Sequence, residues 1–273
     1  MQNRIRLGAT DNNRFREVKM FSSPVRTVRI LTIVAIAIMS VAPRSAAAQD
    51  TPAAQRAVLV TGASSGIGLK ITERLAAEGW FVYAGARKPE DMAALNAIPN
   101  VQAVQLDVTV DADIAAAVET VRDGGRGLHG VVNNAGIAVL APLIDVEEQE
   151  MQSIVDVNVF GPYRITKAFA PMLIESKGRV VTVSSISGIL SGPFFGPYSM
   201  TKHAMEAFGD ALAAEMSRFE VKSSLIEPGN YKSEIGRNTT AQAEAAFERM
   251  KGTPFEEQAR AMVAAMGNYD NYP

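Results

Sequence analysis

Residues 53–273 read as a single α/β domain, a doubly wound parallel sheet of six strands in the order 3-2-1-4-5-6 with helices on both faces. Three observations lead there. From Arg56 onward, short β-rich apolar runs alternate with longer helical patterns, as in successive βαβ units. The runs are apolar almost throughout, as strands covered on both faces are. A glycine-rich turn joins the first run to the first helical pattern.

The elements follow in order. Ala57 to Thr61 reads as the first strand and Ile67 to Glu78 as the first helix, ended by Gly79. Phe81 to Ala86 is the second strand, Pro89 to Ala97 a short helix, and Val101 to Leu106 a third strand that stops at Asp107. Asp111 to Arg122 has amphipathic spacing, with Asp111 or Thr109 as its cap. The second half repeats the rhythm: strand Gly130 to Val132, a long helix near Glu147 to Ile174, strand Arg179 to Val183, helix Pro197 to Phe219 and strand Val221 to Ile226. Two such halves make a Rossmann arrangement, whose ligand crevice lies beyond the carboxyl ends of the strands. From Gly236 to about Met266 the pattern is helical and polar, and no further strand is expected before Pro273.

Composition narrows the function. With 47% hydrophobic residues, the 273-residue chain can bury one large core. A formal net charge of −2 gives no field to hold a nucleic acid. The absence of cysteine excludes disulfides and thiolate catalysis, and His129 and His203 are too few and too far apart for a metal site, so no metal is expected. The first 52 residues stand apart. Arg26 and Arg29 precede an apolar run from Ile30 to Ala42, followed by Ala46-Ala47-Ala48, the order of a secretory signal peptide. The run is shorter than the ~20 apolar residues of a spanning helix, so no stable membrane span is expected. A disordered extension is the alternative, and Met20 is an alternative start. An exported or membrane-associated location follows from the leader, whereas a cytoplasmic one follows from the cofactor inferred below.

The chemistry sits in a few segments. Thr61-Gly62-Ala63-Ser64-Ser65-Gly66-Ile67-Gly68 runs from a strand into a helix, so glycines lie where the chain must turn sharply and approach a phosphate. The unpaired N–H groups and positive dipole of the helix start favour a pyrophosphate. The spacing G-x-x-x-G-x-G departs from the usual G-x-G-x-x-G, and a tight βα turn alone would account for it equally well. Tyr198 and Lys202 are four apart and share a helix face. A free phenol has a pKa near ~10, and a neighbouring ammonium and an oxidised nicotinamide both favour phenolate. Tyr198 can then take the alcohol proton in oxidation or donate one to the carbonyl in reduction. Ser185 ends the fifth strand at the crevice, where its hydroxyl can hold the substrate oxygen.

With these motifs in order, the chain resembles the short-chain dehydrogenase/reductase family, over about Arg56 to Tyr231. Thr61 to Gly68 matches that family's cofactor motif, Asn133-Asn134-Ala135-Gly136 its structural and adenine-pocket motif, and Val183-Ser184-Ser185 its catalytic-serine segment. Tyr198-Ser199-Met200-Thr201-Lys202 matches the active-site motif, and Pro228-Gly229 the segment that contacts the nicotinamide. The resemblance implies that Tyr198 is the general acid/base, that Lys202 lowers its pKa and binds the nicotinamide ribose, and that Ser185 positions the substrate oxygen. It makes Asn158 the member that holds a relay water; a cap or kink before Gly161-Pro162 is the local alternative. Asp107, with Val108 beside it, resembles the family's adenine-contacting acid.

Arg87 and Lys88 follow the second strand where an acid would select NAD, so NADP(H) is favoured over NAD(H). Ile186, Ile189, Leu190, Phe194, Phe195 and Tyr231 make the flanking segments apolar, which suits a hydrophobic alcohol, ketone or aldehyde; the alternative is that the aromatics are core. Ser184 to Gly229 looks most like the hydroxysteroid and retinol dehydrogenase branch. The family's usual seventh strand and final helix are not found, which implies either a fragment or an open sheet edge. Members often assemble through those elements, so a homo-oligomer stays open. Two rival readings are a non-catalytic NADP(H)-binding regulator, which would be expected to lose Ser185, Tyr198 or Lys202, and a same-fold epimerase or dehydratase, whose G-x-x-G-x-x-G spacing Gly62, Gly66 and Gly68 do not show.

Overall fold

The computed structural model describes residues 55–229 and 243–266. The strands are β1 (Ala57–Val60), β2 (Phe81–Ala86), β3 (Val101–Gln105), β4 (Gly130–Asn133), β5 (Arg179–Val183) and β6 (Lys222–Ile226). The helices are α1 (Gly66–Ala77), α2 (Pro89–Asn96), α3 (Asp111–Asp123), α4 (Glu148–Val155), α5 (Gly161–Ser176), α6 (Gly196–Met216), α7 (243–250) and α8 (Glu256–Met266). All six strands run parallel in the order β3-β2-β1-β4-β5-β6. The sequence therefore predicts the sheet order correctly. None of the described helices is long and apolar enough to cross a membrane.

Side-chain alternation along each strand feeds two cores. Leu59, Tyr83, Val104, Val131 and Val180 point to one face, where they pack with Val121, Ile165 and Phe169 of α3 and α5. Val58, Val60, Val82, Ala84 and Val132 point to the other, against α1 and α2. Leu59 and Val60 are both fully buried, so β1 is covered on both sides. Complete burial of one such side chain contributes about 2 kcal/mol. β6 differs: it forms the edge of the sheet and alternates between exposed and half-buried residues.

Three local expectations are corrected. The long helix expected from Glu147 to Ile174 is interrupted at Asp156–Phe160 by a π-helical segment. Pro162 has no N–H to donate to the carbonyl four residues earlier, at Asn158, so the regular ladder cannot continue there. Gly161 then lets the helix lie close to the end of β3, for a Cβ there would stand 2.7 Å from Val108 Cγ2. Neither Asp111 nor Thr109 caps α3; its N-cap is Val110, without a side-chain bond. The Thr109 hydroxyl is instead taken by Asp107 Oδ1 at 2.7 Å, and Asp111 is the first helical residue, where its charge suits the dipole. The helix expected to reach Phe219 ends at Met216 and tightens into a 3-10 turn over Ser217–Phe219.

The start of α1 depends on a missing side chain. A Cβ at Gly68 would lie 2.1 Å from the Gly62 carbonyl oxygen and 2.4 Å from Asn134 Nδ2. Gly68→Ala is expected to lower stability by about 3 kcal/mol or more in urea unfolding. Gly79→Ala provides the contrast: its φ is +86° but nothing lies within 4 Å of the added carbon. It should cost only about 1 kcal/mol, from backbone strain.

Candidate active site

The carboxyl ends of β1 and β4 are laced together beneath the glycine turn. Thr61 Oγ1 accepts the backbone N–H groups of Asn134 and Ala135, both at 3.0 Å, and Asn134 Nδ2 donates to the carbonyls of Thr61 and Gly62, both at 3.0 Å. Gly62 and Gly66 have φ of +62° and +53°, left-handed values that glycine adopts without strain. A Cβ on Gly62 would come within 2.9 Å of Ala135 Cα, so the turn rests directly on the loop after β4. The N-cap of α1, Ser65, makes no side-chain bond, which leaves the first N–H groups of the helix without a side-chain acceptor.

The acid and base after β2 and β3 also meet. Arg87 Nη1 lies 3.7 Å from Asp107 Oδ2, and the Arg87 side chain is 66% exposed. Burial alone would raise the Asp107 pKa, but bonds from Thr109 and the Arg87 charge outweigh it and hold the carboxyl below its ordinary range. Lys88 is exposed and forms the N-cap of α2. Val108 is buried and packs where Gly161 passes.

Ser185, Tyr198 and Lys202 converge beyond β5. The Ser185 hydroxyl is near enough to the Tyr198 phenol to influence its titration, and its Oγ accepts the Ser187 N–H at 3.1 Å. Lys202 Nζ donates to the Val183 carbonyl at 2.8 Å and stands 5.6 Å from the Tyr198 ring centre. Burial pushes the phenol above its usual value, and the Ser185 bond draws it back only in part. The ammonium is directed at the strand carbonyl, and desolvation of the phenol dominates. Burial lowers Lys202 itself to about 8, opposed by the charge of Glu206.

Asn158 lies in the π segment with its amide occupied. Its Oδ1 accepts from Ile137 N at 2.8 Å, and its Nδ2 donates to Ile137 O at 2.8 Å and Thr201 Oγ1 at 3.1 Å. Thr201 Oγ1 donates in turn to the Tyr198 carbonyl at 2.7 Å, so the asparagine reaches the Tyr198 helix turn through one hydroxyl. Gly136 packs beside it, since a Cβ there would meet Asn158 Oδ1 at 3.3 Å.

The expected substrate residues divide. Ile186 and Leu190 are exposed, as is Ile189. Phe194 is buried in the core with Met250 and Ala259, whereas Phe195 is half-buried and packs on Leu140, Ala243 and Ala246. Helices α7 and α8 need an apolar underside, and these two rings supply it. Pro228 accepts the Ile186 N–H at 3.0 Å, with Gly229 next along the chain, and Tyr231 lies outside the described residues. A separate cavity bounded by Arg56, Trp80, His129 and Arg179 opens at the amino ends of the strands, away from all these groups. The sequence reading assigned no part to Thr61 Oγ1, Thr201 or Glu206; the spacing of Lys202 and Glu206, four apart on α6, was the one available signal for the last.

The chain belongs to the short-chain dehydrogenase family, whose profile matches residues 56–244. Mouse mitochondrial D-beta-hydroxybutyrate dehydrogenase is 36% identical over 198 residues, covering 69% of this chain and 58% of that enzyme. Human retinol dehydrogenase 16 is 38% identical over 65% of this chain and 57% of its own length, in line with the branch expected from the sequence. The chain thus spans little more than half the length of these curated relatives. Among solved structures, a variant of actinorhodin polyketide ketoreductase with NADPH superposes with a TM-score of 0.66 at 27% identity, covering 78% of this chain and 90% of that one. The 3-ketoacyl-(acyl-carrier-protein) reductase of Brucella melitensis, with NADH, gives 0.64 at 28% identity, covering 66% and 77%.

The buried ammonium has a measurable consequence. Lys202 is near 8 in the folded chain and near an ordinary lysine, about 10.4, when unfolded, so between these values the unfolded chain binds more protons. Stability therefore rises with pH from about 8 to 10 on account of Lys202. Tyr198, shifted upward, acts in the opposite sense only above its unfolded value of about 10. Urea midpoints over this range should climb less in Lys202→Met than in the unmutated protein, and parallel curves would contradict a depressed lysine.

Proposed function

We propose that the protein is a nicotinamide-dependent oxidoreductase that prefers NADP(H) and interconverts a hydrophobic alcohol with its ketone or aldehyde. The observation that carries this is the meeting of the Ser185 hydroxyl, the Tyr198 phenol and the Lys202 ammonium beyond β5, at the same end of the sheet as the glycine turn. A dinucleotide fits the turn because the N–H groups at the start of α1 have no side-chain acceptor, and a phosphate on its ribose fits the exposed Arg87 guanidinium. The ketoreductase with NADPH favours the same choice, whereas the acyl-carrier reductase with NADH shows that the fold accommodates either cofactor.

When bound, the nicotinamide supplies or accepts the hydride. The protein's own groups handle the proton. In reduction the substrate carbonyl accepts hydrogen bonds from Ser185 Oγ and the Tyr198 phenol, and the phenol then gives up its proton to the developing alkoxide. The upward shift of Tyr198 keeps that acid loaded before substrate arrives. Lys202 stabilises the phenolate left behind, and Asn158 and Thr201 fix the helix turn that carries the phenol. Ile186 and Leu190, both exposed, provide apolar surface for the substrate's non-reacting part.

Absorbance loss of NADPH or NADH, against a panel of aryl and cyclic ketones and long-chain aldehydes, tests the activity. Tyr198→Phe should lower kcat by about 10²-fold or more while leaving NADPH binding intact; unimpaired turnover would overturn the mechanism. Arg87→Ala should weaken NADPH binding by about tenfold and NADH binding by less than about twofold, read by nucleotide fluorescence titration. Equal losses for the two would remove the basis for NADP(H) preference.

A further inference from the structure

Glu206 occupies a position that the proton chemistry above leaves unexplained. It follows Lys202 by four residues and Tyr198 by eight, on one face of α6. Its carboxylate accepts a hydrogen bond from the hydroxyl of Ser184. Ser184 stands between Val183, whose carbonyl takes Lys202 Nζ at 2.8 Å, and Ser185. The 3-10 turn Ile186–Gly188 closes directly over the pair, since a Cβ on Gly188 would come within 2.6 Å of Glu206 Oε1 and 2.9 Å of Ser184 Oγ. The backbone is therefore shaped to admit this carboxylate, and a residue larger than glycine would collide with it.

Partly burying a carboxylate is costly unless another charge or a donor compensates. Ser184 supplies a donor. No ion pair formed among the described residues includes Glu206, and on its own helix the nearest charges along the same face are Lys202 and Asp210. The elements packed on α6 are β6, the two 3-10 turns, α4 and the π segment. β6 carries Lys222 at its amino end, far from Ser184, and is followed at its carboxyl end by the exposed Glu227; the turns carry only Arg218; α4 carries Glu148 and Glu150; and the π segment carries Asp156, bound to Arg164 at 2.7 Å. The one charge that raises Lys202 against its burial is Glu206.

We propose, building on the Tyr198 and Lys202 chemistry above, that Glu206 is a positioning residue: it supplies the counter-charge for the buried Lys202 ammonium, and Ser184 with the Gly188 turn holds it there. Glu206 acts on Lys202, and Lys202 acts on the phenol. The link to Ser184 also ties the middle of α6 to the end of β5, so the two elements that carry Tyr198 and Ser185 move as one.

The test compares Glu206→Gln, Ser184→Ala and Tyr198→Phe in the full chain, with NADPH and whichever ketone of the panel is reduced fastest. Glu206→Gln keeps an acceptor for Ser184 and removes the charge. Its kcat at pH 7 is expected to fall about tenfold, and the alkaline limb of its kcat/KM profile to move down by about one pH unit, while the ketone KM changes less than about threefold. Ser184→Ala keeps the charge and should lower kcat without moving the limb by more than about a third of a unit. An unmoved limb in Glu206→Gln, or an equal movement in Ser184→Ala, would overturn the counter-charge role. If Glu206→Gln does not fold, Glu206→Asp replaces it, with its retracted carboxylate expected to move the limb in the same direction by more than about a third of a unit; no movement overturns the proposal. Tyr198→Phe separates the two levels. Turnover in that variant defeats the mechanism itself, whereas an inactive Tyr198→Phe beside an unmoved Glu206→Gln limb defeats only the part given to Glu206.

Discussion

Everything at the carboxyl end of the sheet depends on how closely α1 approaches the end of β1. The carbon that Gly68 lacks would sit 2.1 Å from the Gly62 carbonyl, so helix and strand meet with no side chain between them. That contact fixes where the free N–H groups of α1 point. It also brings the turn down onto Ala135 and Asn134, whose side chain is then spent on the carbonyls of Thr61 and Gly62. From there the constraint travels along the backbone: Gly136 packs against Asn158, Asn158 holds Thr201, and Thr201 holds the carbonyl of Tyr198. The glycine turn and the Tyr198 helix turn, on separate halves of the fold, are thus joined by a packing contact at Gly136 and short hydrogen bonds through Asn158 and Thr201. Such a network is worth more intact than in pieces, because each buried member left unpaired costs about 1–3 kcal/mol.

Burial has opposite effects on the two titratable groups that meet there. It raises the phenol of Tyr198 and lowers the ammonium of Lys202, in both cases by disfavouring the charged form. Without compensation the pair would drift toward neutral phenol and neutral amine. The Val183 carbonyl and the Glu206 charge oppose that drift on the lysine side, and the Ser185 hydroxyl opposes it on the tyrosine side. Environments that separate two such groups are the usual means of keeping one acid loaded beside a charged partner.

The sheet was legible because parallel strands buried on both faces leave unbroken valine-rich runs, and each is punctuated by glycine, proline or aspartate. Val58, Val60, Val82 and Val132 could be assigned to strands from the sequence and fall there in the structure. Tyr198 and Lys202 were legible as a four-residue spacing that helix periodicity preserves, whereas Ser185 was placed by its position at a strand end and by the family resemblance. The break at Asn158 was legible only as an alternative, a cap or kink before Gly161-Pro162, because a π segment shifts the helical phase by a single residue. The cap of α3 was misread because Asp107, four positions before the helix, competes for the Thr109 hydroxyl. The Glu206 contact was hidden for a different reason: Ser184 is 22 residues away, and nothing local in either segment announces it.

Phe194 is a buried, bulky residue with φ of +67°, a conformation that costs about 1–2 kcal/mol for an L side chain. Its ring is enclosed by Met250 and Ala259, and its carbonyl accepts the Ala141 N–H at 3.0 Å, so packing on both sides fixes it there. The left-handed step reverses the chain just before Gly196, where α6 begins with Pro197 in its first turn and Tyr198 next to it. Gly196 itself is confined, since a Cβ there would lie 2.6 Å from the Leu143 side chain. The strain at Phe194 is therefore the conformational cost of bringing the phenol to the crevice from a helix that starts at its rim. Because α7 and α8 bury that same ring and Phe195, their seating and the direction of Tyr198 are set by one turn of the chain.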